Sequence, residues 1–395
     1  MERTVYREMA LTPMVWVLAI ILGAFVGAAG MAVLYVEHYG HIVTGMNNQI
    51  VWGLPHVFAI FLIVAASGAL NVASIASVFG KTAYKPMARL SALLAMALLA
   101  GGLGVLVLDL GRPDRLIVAM TTYNFKSIFA WNVILYNGFF VVVGAYLFVQ
   151  MSRGMSAQTI RAMGTAAFIW RLALTTGTGS IFGWLVARPG YDAAIMAPLF
   201  IIMSFSFGLA FFLLVLTSMY RLTKRNLDPM LIKRMGNLLG VFAGAVLYFT
   251  AVRHLTNLYA AEHGDVERFL LFGGGGITSL FWVGQVLIGG IIPIALLFRP
   301  TDGANVGSVL LASVLIILGG LVQLYVIIIG GQMFPLEIFP AYEVTSSSFY
   351  DGTVNSYAPS ALELLLGMGG VALTLIIAGL GVVALRILPE NLSDS

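Results

Sequence analysis

Ten times along this chain an apolar run of about 20 residues or more recurs, the length one helix needs to cross a bilayer core. The runs cover residues 13–37, 52–80, 86–109, 129–151, 162–187, 193–220, 235–262, 275–298, 306–330 and 361–388. With no water in the hydrocarbon, each backbone N–H and C=O must be satisfied within its own segment, so runs of this length are helical. The chain is therefore expected to be an all-α polytopic membrane protein forming one integral membrane domain over residues 1–395. Six runs are clear, the fifth is interrupted by Arg171, the seventh by Arg253 and His254, and the third and tenth are short. The composition, 60% hydrophobic and 10% charged with a mean hydropathy of +0.96, fits no soluble domain of this size. The first run is too long for a cleavable signal peptide and follows the mixed-charge segment ERTVYRE.

Charge asymmetry orients the helices. With a cytoplasmic N-terminus, 14 of the 21 Lys and Arg residues fall on inside segments and five on outside ones (Arg112, Arg115, Lys126, Arg188, Arg268). Arg171 and Arg253 lie within spans. Such a bias places both termini in the cytoplasm and accounts for the basic pI without any nucleic-acid partner. The chain has no cysteine, so it holds no iron–sulfur cluster of its own through thiolates and no covalent haem. Five histidines form no dense ligand cluster, and no metal site is expected.

A four-span repeat shows in the charge spacing. The basic loop KTAYKPMAR precedes the third span and RLTKRNLDPMLIKR the seventh; Asp109 and His254 stand near the outer ends of those two spans. Spans 2–5 and 6–9 are expected to form two four-helix bundles flanked by spans 1 and 10. The longest non-apolar segment, 331–359, lies outside and is rich in aromatics and prolines, as in loops that cap a site or meet a partner. Gly273–Gly276 is not followed by Lys-Ser/Thr and reads as a helix entry, not a phosphate loop.

Polar residues gather toward the outer face: His56, Asp109, Glu37, His38, His254, Glu262, Gln323, Gln332 and Glu363, with Arg171 alone near mid-membrane. Polar groups in lipid face a protein interior or a cavity, which points to an outward-opening polar pocket. Asp109 ends the third span at the turn Gly111-Arg112-Pro113-Asp114-Arg115; it can accept a proton or pair with Arg112 or Arg115 at the helix end. His56 can hydrogen-bond a carbonyl, ligate a haem or serve as a neutral core histidine. Arg171 is costly to bury and calls for a counter-ion or a proton-path role.

The turn DLGRPDR (Asp109–Arg115), followed by a short amphipathic stretch, Ser127 and a Trp-led helix, resembles the hallmark of the NrfD/PsrC family of quinone-reactive membrane subunits. FWVGQVLIGGIIP (Phe281–Pro293) matches a second, less specific one. Within that family, Trp52–Gly68 and Gly330–Val344 are similar to DsrP, a subunit of the sulfite-reduction-associated DsrMKJOP complex. The resemblance implies a multi-pass subunit of the prokaryotic cytoplasmic membrane that binds menaquinone or ubiquinone near the outer face. It implies electron exchange there with a ferredoxin-like iron–sulfur subunit, within a multi-subunit redox complex linked to sulfur compounds. The family's quinone site carries over onto Asp109, and with it onto His56 and His254. Arg112, Arg115, Gln332, Glu337 and Tyr342 are expected to contact the partner.

Oxidising a quinol releases two protons and two electrons at one place, so the site needs hydrogen-bonding groups and a base. Desolvation raises a carboxylate's pKa, which suits a proton acceptor, and Asp109 is expected in that role. One alternative is a haem-b subunit with axial ligands drawn from His56, His254, His38 and His41. A secondary transporter is the other, but transporters gather their polar groups at the midplane.

Overall fold

The structure, a computed structural model, describes residues 4–300, 303, 305–335 and 353–392. Its long helices are α1 (Pro13–Tyr39), α2 (Leu54–Ser77), α3 (Thr82–Leu108), α4 (Ile128–Met151), α5 (Ala157–Gly183), α6 (Met196–Leu222), α7 (Pro229–Tyr259), α8 (Gly276–Phe298), α9 (Val306–Met333) and α10 (Ala361–Ala384). Among the described residues nine of these are long and apolar enough to cross a membrane. Helix α5 has the length of its neighbours and packs against α4, α6 and α2. Arg161, Arg171 and the run Thr-Thr-Gly-Thr-Gly at 175–179 make it less apolar.

Local chemistry sets the helix ends. The Thr12 hydroxyl accepts the Val15 N–H ahead of Pro13 at the first turn of α1. The Asp228 carboxylate caps α7 just before Pro229, and Ser360 with Glu363 forms a capping box on α10. Helix α3 stops at Asp109 because Pro113 disfavours helical backbone at Arg112, which sits at φ −142°, ψ 69°. In α8, residues Leu280–Ile291 wind as a π-helix ahead of Pro293, which has no N–H to donate.

The packing follows the expected repeat. Helices α2, α3, α4 and α5 form one four-membered ring, and α6, α7, α8 and α9 form another. The rings join where α2 crosses α6, with α9 also on α2. At that crossing a Cβ on Gly208 would fall 2.2 Å from the Ala69 nitrogen, so the two backbones touch only because Gly68 and Gly208 lack side chains. The apolar window of α2 is 94% buried and that of α1 only 11%, which makes α2 the centre and α1 the lipid-facing rim. Helices α10 and α1 both flank the first ring, α10 on α3 and α2, and α1 on α10.

At one end of the molecule the terminal segments are laced together. Tyr6–Arg7 (β1) pairs antiparallel with Leu388–Pro389 (β3), and Asn226–Leu227 (β2) pairs parallel with Asn391–Leu392 (β4). Arg225 donates to the carbonyls of Leu388 and Pro389, and the Tyr220 hydroxyl donates to Pro389. Asp109 and His56 meet at the opposite end, where α3 finishes and α2 begins.

Candidate functional site at the start of α2

His56 lies in the first turn of α2, and Asp109 is the residue on which α3 ends. His56 Nδ1 stands 2.8 Å from Asp109 Oδ2, with the two side chains 16% and 5% exposed. The approach is that of an ion pair, yet it lacks hydrogen-bond alignment, and neither atom has another hydrogen-bond partner. The two atoms thus have only each other. Asp109 does not pair with Arg112 or Arg115: Arg112 forks onto Asp114 at 3.0 Å on the exposed surface, and Arg115 is exposed. The DLGRP turn is tied down through its backbone instead, by His41 Nε2, 3.2 Å from the Asp109 carbonyl oxygen.

Aromatic rings wall the pair. The Trp52 indole stacks toward the His56 ring at 6.1 Å and toward the Tyr191 ring at 6.1 Å. Phe129 and Phe182 meet it edge-on. Flat apolar walls beside a buried polar pair with no hydrogen-bond partner outside it are the elements of a site for a planar ring bearing oxygens.

The segment bearing Trp52 is held from the second ring and from α10. Gln332, at the end of α9, is fully buried. Its Oε1 accepts the N–H groups of Val51 and Trp52, both at 3.0 Å, and its Nε2 donates to the carbonyls of Trp52 and Ile328, both at 2.9 Å. The expectation of Gln332 as a partner contact is corrected here, because no part of its amide faces outward. Gln49 Nε2 donates to the carbonyl of Gln332 at 3.0 Å, and Arg188 donates to the Gln49 carbonyl.

Glu363 holds the other side. Its carboxylate accepts the N–H groups of Gly45 and Ser360 and the Tyr357 hydroxyl. The Tyr357 oxygen in turn accepts the Leu54 N–H, at the first turn of α2. Burial, reinforced by Glu363, pushes the Tyr357 hydroxyl pKa up, so it stays a donor. A Cβ on Gly53 would fall 2.4 Å from Glu363 Oε1, so only glycine fits where this loop enters α2.

His254 belongs elsewhere. It sits in the second ring with its Nδ1 2.6 Å from Glu267 Oε2, its ring edge-on to Phe281. Asn257 donates to the other Glu267 oxygen at 2.8 Å, and the neighbouring Arg253 donates to the Gly190 carbonyl. Both polar atoms of Glu267 and one of His254 are therefore committed locally, so His254 pairs with Glu267 and not with Asp109. Glu267 escaped the sequence reading because GDVER looks like a solvated charge cluster.

Arg171 is 2% exposed, as its mid-membrane depth required, but the expected counter-ion is missing: among the described residues no carboxylate lies within ion-pair distance. Its guanidinium lies over the faces of Phe168 (4.8 Å) and Phe205 (5.1 Å) and donates to the Ser67 carbonyl at 3.4 Å. Glu337 and Tyr342 lie outside the described residues.

A family model described as "Polysulphide reductase, NrfD" matches residues 42–336, a span that contains His56, Asp109 and Gln332. The chain belongs to the NrfD family. It is 32% identical to the Hdr-like menaquinol oxidoreductase integral membrane subunit of Archaeoglobus fulgidus, over 95% of this chain and 94% of that one. It is 28% identical to a putative dimethyl sulfoxide reductase membrane subunit of Halobacterium salinarum, over 94% and 90%. With a polysulfide reductase chain of Wolinella succinogenes the identity is 22%, over 73% and 96%. Glu363 and α10 lie beyond the span matched by the family model.

Proposed function

We propose that this NrfD-family subunit binds the head group of a membrane quinol at His56 and Asp109 and exchanges its electrons with an iron–sulfur partner on the same face. One observation carries the reading: Asp109 Oδ2 and His56 Nδ1 form a buried pair 2.8 Å apart, with no hydrogen-bond partner outside the pair, beside the Trp52 ring. Quinol oxidation gives up two protons and two electrons. Asp109 accepts the proton of one quinol oxygen and passes it to water at the same face, and the proton of the other oxygen leaves to that water directly. His56 holds the head group, and the Trp52 ring keeps it flat. The electrons leave to oxidised clusters of the partner, since this chain has no cysteine with which to hold a cluster. Reversal of the same steps reduces a quinone.

The relatives' names support menaquinol as the substrate and sulfur-compound reductases as the setting. The partner docks on the exposed Arg112–Arg115 turn and the outer loop that follows α9, and the laced termini lie on the cytoplasmic side in accord with the charge bias.

The test is titration of a fluorescent quinol analogue into the purified protein, wild type against Asp109→Asn and His56→Phe. Saturable binding that weakens in both variants, and loses its pH dependence in Asp109→Asn, is expected. Equal binding in all three removes the pair from the site, and no saturable binding, even with the iron–sulfur partner present, overturns the quinol reading.

A further inference from the structure

The second ring encloses a cavity at the level where α8 winds as a π-helix. Ser206 and Phe207 of α6, Gln285 and Gly289 of α8, and Gly320 and Gln323 of α9 are among its walls. It leaves about 10 Å³ in which the centre of a water molecule can sit, close to the room of a single water. Glycines let its walls approach closely: a Cβ on Gly320 would fall 2.6 Å from the Phe207 ring, and one on Gly319 2.1 Å from the Gly289 Cα.

Gln285 decides what the cavity holds. The residue is 6% exposed, lines the space, and its Oε1 has no hydrogen-bond partner. An amide oxygen left bare in a membrane interior is costly. Apolar cavities stay dry, whereas a cavity with polar groups on its walls takes up water. The Ser206 hydroxyl and the Gln323 amide supply further partners on the same walls, with Gln323 Nε2 already committed to Thr250 Oγ1 at 3.2 Å.

We infer that this cavity is a binding site for a single ordered water molecule, held by Gln285 with Ser206 and Gln323 in the core of the second ring. No carboxylate lines it, so a bound metal cation would go uncompensated, and neutral water matches a neutral lining. Thr250, which accepts the Gln323 amide, stands one helical turn before His254, the partner of Glu267. The water site is separate from the His56–Asp109 pair and does not depend on the quinol reading.

X-ray radiolytic labelling tests it, because a bound water exposed to the beam releases hydroxyl radical in place and oxidises the ring beside it. In the intact protein, in lipid nanodiscs, Phe207 is expected to be labelled several-fold faster than Phe200 and Phe212, which are equally buried in α6 but do not line the cavity. Gln285→Leu, with Gln285→Met as a second variant, is expected to lower Phe207 labelling to the Phe212 level. Wild-type labelling of Phe207 no faster than Phe212 shows a dry cavity and overturns the inference, whether or not the variants fold. Labelling that persists unchanged in folded Gln285→Leu also overturns it, since the water is then not held by Gln285.

Discussion

Replacing Gln332 by leucine asks how much of the outer site is built by hydrogen bonds from another part of the molecule. The two side chains are close in volume, so the change leaves little void and acts through polar groups. Three backbone groups lose their partner: the N–H of Val51, the N–H of Trp52 and the carbonyl of Trp52. The Ile328 carbonyl keeps the Tyr191 hydroxyl. A buried backbone group left unpaired costs about 1–3 kcal/mol. Val51 is half exposed, so water replaces part of the loss, and a total of about 2–4 kcal/mol is expected. The 49–53 segment relieves that cost by loosening, which takes Trp52 off the His56 ring. A ligand that must restore the order at about 1.4 kcal/mol binds roughly tenfold more weakly. Thermal unfolding in nanodiscs reads the first quantity, and quinol-analogue titration the second. Gln323→Leu, a buried amide of the second ring, serves as comparison: it is expected to lower stability without touching affinity. Should Gln332→Leu unfold more readily yet bind the analogue as the wild type does, the idea that α9 shapes the site through Trp52 is wrong.

Three further outcomes are expected. Gly208→Ala forces apart the crossing of α2 and α6 and should abolish folded yield, whereas Gly244→Ala, with nothing near its added methyl, should hold or gain up to about 1 kcal/mol; comparing monodisperse yield and unfolding midpoint separates them. For Glu267, burial pushes the carboxyl pKa up, but the His254 hydrogen bond, the charges of His254 and Arg253, and the Asn257 amide outweigh it and hold it below its ordinary 4.5. The stability this carboxylate contributes is therefore full above pH 4.5 and lost as pH falls through the lower folded value. Melting curves should show that loss in the wild type, and Glu267→Gln should start less stable and lack that component. Arg112→Ala with Arg115→Ala should leave the melting midpoint unchanged, because the Arg112–Asp114 pair is fully solvated. The same double variant should weaken co-purification of the iron–sulfur partner, and unchanged recovery counts against docking on this turn.

The helices and their grouping were legible because lipid leaves the chain so few options. Length and hydropathy marked each span, and the charge spacing before α3 and α7 was enough to suggest the two rings. The meeting of His56 and Asp109 was legible too, since both fall at the same end of neighbouring spans. Their support was not. Gln332 reads as a polar residue at the end of a span, and only the folded chain shows its amide turned inward to a segment 280 residues away. His254 misled for a related reason: depth along a helix says nothing about which of two rings its side chain faces. For Arg171 the expectation of a carboxylate ignored that phenylalanine faces and a backbone carbonyl also receive a guanidinium.

The strands at the laced end carry a consequence for how the protein is made. Residues 388–392 bind both the segment before α1 and the turn between α6 and α7. Helices leave the ribosome in order, so α1 through α9 can enter the membrane and pack while this face is still open. It closes only when the last helix has been inserted in the correct direction and its tail has come back to the same side. A polypeptide stalled or inverted at α10 would leave Tyr6–Arg7 and Asn226–Leu227 without strand partners, exposed to the proteases that clear incomplete membrane proteins. Residues 388–392 can close this face only after α10 has crossed.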